Sequence, residues 1–177
     1  VFAKKIYSEA QRLIALVEDI IRLSKLDEGV SLEECSSVEL YAAVREVSEQ
    51  LESQAEAAGV TVTVEGEPVT VSGEKTLING IIYNLCDNAI KYNRPGGRVA
   101  LSLESTESEA VLKVSDTGIG IPPTDRERVF ERFYRVDKSH SKSIGGTGLG
   151  LSIVKHSVQA IGARISLESR PGEGTTV

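Results

Sequence analysis

The amino-acid sequence predicts an α+β domain, a sheet covered on one face by helices, with one long amphipathic helix in front of it. Three observations carry this. Residues 2–28 repeat apolar side chains at Ile6, Ala10, Leu13, Val17 and Ile20, in alternating steps of four and three, with Ile14 and Ile21 widening the stripe. Segments 98–104 and 110–115 alternate apolar and polar residues across a polar turn, the pattern of a hairpin. Helical and strand patterns follow one another in mixed order, with strands adjacent in sequence and no internal repeat.

Taken in order, the first helix stops at Gly29. Its apolar stripe has no partner helix within its own segment, so the rest of the chain or a second copy must cover it. A second helix is expected over 37–58, capped by Ser36 or Ser37 and closed by Gly59. Residues 61–66 alternate as a strand and 69–73 form a short second one. A third helix spans 74–92 and is ended by Asn93, Pro95 and Gly96. After the hairpin, 116–147 is long and irregular, with Pro122, Pro123 and a Gly-Gly pair, and a short apolar-aromatic helix is expected around 125–134. Connections of that length are usually functional or mobile. A helix over 148–161, a strand over 164–169 and the start of a last strand at Thr175–Val177 complete the order.

Composition narrows the functions. A net charge of −6 leaves no global basic field for nucleic acid or anionic lipid, so an anionic ligand needs a local site. No run of about 18 apolar residues offers a membrane span, and no secretory signal pattern opens the chain. Beginning at Val1 and lacking Met, it reads as a piece of a longer protein. Cys35 and Cys86 stand outside any metal-ligand spacing and read as free thiols in a reducing compartment.

Four clusters carry chemistry. On the third helix, Asn84, Asn88 and Lys91 share one stripe, with Tyr92 at its edge and Ile78, Ile81, Leu85 and Ala89 beside it. Two carboxamide oxygens and an ammonium on the rim of a buried face suit hydrated Mg²⁺ and a phosphate chain. The plainer reading is a solvated face with an Asp87–Lys91 pair. Next, Asp116-Thr-Gly118-Ile-Gly120-Ile121-Pro places a carboxylate after a strand and two glycines behind it. The glycines admit a flat ligand close to backbone, and the carboxylate can accept from an exocyclic amine such as that of adenine. An aspartic-protease reading of the Asp-Thr-Gly tripeptide is not supported by its continuation. Third, Gly145-Gly146-Thr147-Gly148-Leu149-Gly150 runs into an apolar helix, offering backbone N–H groups to phosphates. It lacks the Gly-Lys-Ser/Thr ending of a Walker loop and the parallel βαβ setting of a dinucleotide fold. Fourth, 130–138 reads Phe130-Glu-Arg-Phe133-Tyr134-Arg135-Val-Asp-Lys138, either an aromatic element packed on the core or, with Arg135, Lys138 and Lys142, a mobile source of charge for a terminal phosphate.

In this order and spacing the clusters resemble the ATPase superfamily shared by type II topoisomerase subunits, heat-shock chaperones, mismatch-repair ATPases and histidine kinases, and most of all the sensor histidine kinases of two-component systems. NLCDNAIKYN is similar to that family's asparagine box, DTGIGI to its first glycine box, FERFYR to its phenylalanine box and GGTGLGLSIVKH to its second glycine box, while GEGT matches a short glycine turn beyond it. Residues 2–28, ending RLSKLDEG, resemble the second helix of the dimerisation hairpin. The resemblance implies a two-layer α/β sandwich, the Bergerat-type ATP-binding fold, over 37–177, a linker at 29–36 and a partial dimerisation segment at 1–28. It implies ATP and Mg²⁺ as cofactors, with Asn84 and Asn88 at the metal. Lys91, Tyr92, Asp116, Gly118, Gly120, Ile121, Tyr134, Lys142, Gly146, Thr147, Gly148, Leu149, Gly150 and Thr175 would contact nucleotide. Lys91, Arg135 and Lys138 would serve the transfer itself.

The implied partners are the protein's own dimerisation and phosphoacceptor domain, as a homodimer, and a cognate response regulator, with no nucleic acid. The implied location is the cytoplasmic part of a bacterial membrane sensor. The family phosphorylates a histidine followed by an acidic residue. Here His140 and His156 are each followed by serine, so this piece is expected not to phosphorylate itself. Two other readings, a serine kinase or anti-sigma factor of the same superfamily and a degenerate partner-binding module, fit the leading helix and the intact boxes less well.

Overall fold

The structure, a computed structural model, describes residues 2–27, 36–106, 108–136 and 146–177. Helix α1, Phe2–Asp27, is a single rod, and the expected stop at Gly29 lies outside the described residues. Its rows divide. Leu16, Asp19, Leu23 and Leu26, at steps of three and four, are withdrawn from solvent, and Leu23 packs with Leu149 and Ile153. Ile6, Leu13, Val17, Ile20 and Ile21 stay exposed.

The expected helix over 37–58 is instead a strand and two helices. Strand β1, Ser36–Glu39, pairs antiparallel with β3, Thr70–Gly73. That ladder satisfies the backbone at Ser36 and Ser37 and buries Val38, so neither serine is free to cap a helix. Glu39 caps instead: its two carboxylate oxygens accept from the N–H groups of Tyr41 and Ala42 at 2.8 Å each. Helix α2, Leu40–Gln50, breaks at Leu51 from α3, Glu52–Ala58, which ends as expected at a left-handed Gly59.

The main sheet has five strands in the order β2 (Thr61–Gly66), β4 (Arg98–Ser105), β5 (Ala110–Asp116), β7 (Gly174–Thr176) and β6 (Glu168–Arg170). The β2–β4 pair is parallel and the rest antiparallel, which makes the sheet mixed. Alternation sets its two faces: Val99, Leu101, Leu103 and Val114 point into the core, while Ala100, Glu104 and Val111 face solvent. Helices α2, α4 (Lys75–Lys91) and α5 (Gly150–Ala160) supply Val44, Val47, Ile82, Ile90, Val154 and Val158 to that core. Of the strand expected over 164–169 only Glu168 and Ser169 are in a strand, β6, which pairs antiparallel with β7.

The helix expected around 125–134 is two 3₁₀ turns, Pro123–Asp125 and Arg128–Phe130. The chain then leaves helical geometry: Glu131 is extended, and Phe133 adopts φ 62° while its N–H donates to the Gly148 carbonyl at 3.0 Å. A tertiary hydrogen bond here overrides local propensity. Cys86 is buried inside α4, and burial pushes its thiol up to about 12. Cys35 lies outside the described residues.

Candidate nucleotide site

Helix α4 presents the carboxamides. Asn84 Nδ2 donates back to the Gly80 carbonyl at 2.8 Å, which fixes the amide plane and leaves Oδ1 turned away from the helix backbone. Gly150, the first residue of α5, lies against both amides: a Cβ there would sit 2.9 Å from Asn84 Oδ1 and 3.5 Å from Asn88 Nδ2. Glycine at this position therefore lets the start of a helix meet the paired carboxamides. Lys91 is engaged in the plainer role as well, with Nζ 2.6 Å from Asp87 Oδ2, while Gln54 donates to the other Asp87 oxygen at 2.9 Å.

Beyond Asn88 opens a cavity of about 180 Å³ between α4, β5 and the segment 119–136. Leu85, Ala89, Val114, Ile119, Val129 and Leu151 give it apolar walls, and Asn88, Tyr92, Asp116, Tyr134, Arg135 and Thr175 bring polar groups to it. Asp116 is more than half buried, and desolvation pushes its carboxyl above the usual carboxylate range against two opposing hydrogen bonds. Both fall on Oδ1: Gly118 N–H donates at 2.7 Å and Thr175 N–H at 3.3 Å. Oδ2 is the oxygen left to meet a ligand donor.

The glycines are fitted to this corner. A Cβ on Gly118 would lie 2.3 Å from the Tyr92 carbonyl, and one on Gly120, at φ +68°, would lie 2.0 Å from the Arg170 carbonyl. Both carbonyls are backbone and cannot swing aside. Ile119 N–H donates to the Tyr92 carbonyl at 3.0 Å, which ties the loop to the end of α4.

The second glycine cluster approaches from the other side. Arg135 donates to the Gly146 carbonyl at 2.7 Å, and a Gly146 Cβ would stand 3.6 Å from the Tyr92 hydroxyl. Gly148 takes φ +75° beside Phe133 and Tyr134. Thr147 faces α1, donating to Asp19 Oδ2 at 3.0 Å and accepting from Leu149 N–H at 3.3 Å. Leu149 is fully buried against Leu23 and Ile153, so its side chain faces the core rather than the cavity. Tyr134 lines the cavity and its hydroxyl donates to Asp125, and Arg128 lies over its ring at 4.2 Å. Phe133 is 57% exposed, so the aromatic run is not packed as a unit on the core. Lys138, Lys142, His140 and Gly145 lie outside the described residues.

Sequence reasoning missed the groups that hold this frame from behind, above all Ser169, Arg94 and Asp125, since no spacing or composition marks them. It also left out the latch to α1: Arg132 donates to both Asp27 oxygens at 2.7 Å, which holds that carboxyl below its usual range. His156 sits beside this pair, with Nδ1 2.7 Å from the Ser152 carbonyl and Nε2 3.6 Å from Asp27.

Among the described residues no group of three His, Cys, Asp or Glu is arranged to hold a metal ion, and no helix is long and apolar enough to cross a membrane. The carboxamide oxygens of α4 nevertheless suit a hard cation that takes most of its ligands from phosphate and water.

Residues 73–177 match the family described as histidine kinase-, DNA gyrase B- and HSP90-like ATPases. The sensor-like histidine kinase SenX3 of Mycolicibacterium smegmatis is 38% identical over 176 residues, covering 99% of this chain and 46% of the relative. The chain thus spans less than half the length of that protein. The crystal structure of full-length ShkA in complex with AMPPNP superposes with a TM-score of 0.81 at 26% identity, over 99% of this chain and 36% of that one. Histidine kinase ThkA in complex with the response regulator protein TrrA superposes at 0.76 and shares 24% identity, a likeness of fold, over 99% of this chain and 48% of that one.

Proposed function

The chain belongs to the histidine kinase-, DNA gyrase B- and HSP90-like ATPases, as the ATP-binding catalytic domain of a sensor histidine kinase, and we propose on that premise how it takes its nucleotide. The adenine enters the cavity beside Asp116, whose Oδ2 accepts from the exocyclic amine. Gly118, Gly120, Ile121, Tyr92, Tyr134 and Thr175 frame the base. The phosphates run toward Gly146, Thr147, Gly148 and Gly150, where backbone N–H groups at the start of α5 face them. Asn84 and Asn88 hold Mg²⁺ through their carboxamide oxygens, and Lys91 and Arg135, with Lys138 and Lys142, add positive charge. The metal, when bound, offsets charge on the phosphate oxygens; the protein's own part is position and electrostatics, which dominate phosphoryl transfer. The observation that carries this reading is the half-buried Asp116 with one oxygen committed to two backbone N–H groups and the other left for a ligand.

The γ-phosphate goes to a histidine of the dimerisation domain and from there to a response regulator, in a protein held at the cytoplasmic membrane. In this reading α1 is the second helix of that domain. Neither histidine here is followed by an acidic residue, and His156 is moreover engaged with Ser152 and Asp27. Incubated with γ-labelled ATP, the chain is expected to bind nucleotide and remain unlabelled; an acid-labile, base-stable label on it overturns the assignment. Asn88→Asp is expected to weaken Mg-ADP binding about tenfold by setting a carboxylate among phosphates, and an unchanged affinity by calorimetry speaks against the metal role.

The partner we propose for the outer row of α1 is a second copy. Ile6, Leu13 and Val17 are each more than half exposed on one face, a stripe that soluble helices bury. Sedimentation is expected to show self-association that rises with concentration. A monomer throughout excludes the pairing.

A further inference from the structure

The base pocket has two walls, the loop 118–121 and the turn 170–175, and no strand ladder joins them. One backbone bond crosses between them, from Gly172 N–H to the Ile119 carbonyl at 2.8 Å. Besides the Asp116 carboxylate, two side chains that do not line the cavity tie the walls together. Ser169, only 6% exposed, accepts from the Ile121 N–H at 2.8 Å and lies 2.9 Å from the Gly174 carbonyl, to which it donates. Its oxygen is also 2.8 Å from the Thr175 hydroxyl. One hydroxyl thus spans both walls. On the opposite side Arg94, exposed at the end of α4, donates from one guanidinium nitrogen to the Gly118 carbonyl at 3.0 Å and also to the Gly172 carbonyl.

The Asp116 carboxylate takes one N–H from each wall, Gly118 and Thr175. The spacing of the walls therefore sets which way its second oxygen points. We infer that Ser169 and Arg94 are positioning residues for base recognition: by clasping the two walls from behind they aim Asp116, and the site's preference for a purine bearing a 6-amino group depends on them. Neither side chain needs to touch the nucleotide for this role. The inference rests on the reading of Asp116 as the acceptor for that amine.

The test compares Mg-ADP with the Mg complex of purine riboside diphosphate, identical but for the missing amine, by calorimetry on the chain as it stands and on its variants. A hydrogen bond to a buried carboxylate predicts that the unaltered chain prefers Mg-ADP by about tenfold or more. Ser169→Ala and Arg94→Gln are each expected to shrink that preference to about threefold or less, and Ser169→Thr, which keeps the hydroxyl, to retain it. If both ligands weaken together in Ser169→Ala and Arg94→Gln and the ratio stays, the two residues are merely structural and the inference falls. Loss of preference in Ser169→Thr, with its hydroxyl in place, also overturns the role given to that group. If the unaltered chain shows no preference, the reading of Asp116 fails instead, so the two failures are told apart. Should Ser169→Ala not fold, the surface substitution Arg94→Gln decides: a reduced ratio supports the clasp and an unchanged one rejects it.

Discussion

Asp116→Asn is expected to weaken adenine-nucleotide binding on the order of a hundredfold or more while leaving the unliganded fold as stable as before, or more so. The amide oxygen can still accept from Gly118 and Thr175, so the frame survives. The amide nitrogen then occupies the place of Oδ2, and two donors face each other where a donor met an acceptor. The stability half of the expectation follows from burial. Desolvation raises the Asp116 carboxyl above its ordinary 3.8, so the folded chain binds that proton more readily than the unfolded chain. Stability then falls as pH rises through the raised value, and at neutral pH the ionised carboxylate weakens the fold. Asparagine removes that cost. The difference in Tm between the two chains should narrow as pH drops from neutral toward 3.8. A less stable Asp116→Asn chain at neutral pH, in thermal scans without nucleotide, would contradict it.

Gly174→Ala is expected to be among the most damaging single changes to the fold. Gly174 takes φ +123°, and a Cβ there would sit 1.9 Å from the Asp116 carbonyl. Strand β7 is held through the Ser115–Thr176 pair and the Val114–Val177 bonds, so neither backbone can retreat without opening the sheet. Strain and lost ladder bonds together cost about 3 kcal/mol or more, a fall in Tm of about 6–12 °C for a chain of this size. Gly96→Ala is the informative control. It too has a positive φ, +80°, but nothing lies within 4 Å of its Cβ. Its cost is the backbone preference alone, about 1–2 kcal/mol. Equal losses at the two positions would mean that the close approach to Asp116 does not matter.

The contrast between these glycines marks what was legible in the sequence. Asn84, Asn88, Asp116 and the two glycine clusters stand out because their chemistry demands particular residue types at short spacings, and the structure gathers Asn88, Tyr92, Asp116, Gly120 and Thr175 around one cavity. The helix stop at Gly59 and the strand at 61–66 follow from local rules and are found as expected. What could not be read are features decided by distant partners. Ser36 and Ser37 look like helix caps until β3 claims their backbone. The aromatic run 130–134 looks helical until Phe133 bonds Gly148. Ser169 and Arg94 look like ordinary polar residues in the sequence, because the walls they join are about 50 residues apart along the chain. Thr147 is a different case: the glycine-rich pattern marks it for phosphate, while in the structure its hydroxyl is held by Asp19 of α1.

The thiol of Cys86 turns the asparagine helix into its own reporter. It lies between Asn84 and Asn88 in sequence but on the inner face, 1% exposed, and its proton is held until about pH 12. At neutral pH it offers almost no nucleophilic thiolate. An alkylating reagent can therefore reach that sulfur only in the moments when α4 lifts from the sheet, and the rate at which the Cys86 peptide gains mass counts those openings. A ligand that bridges the carboxamides to the glycine loops should make them rarer, so the kinetics of a silent cysteine read out occupancy of the crevice without any label being added to it.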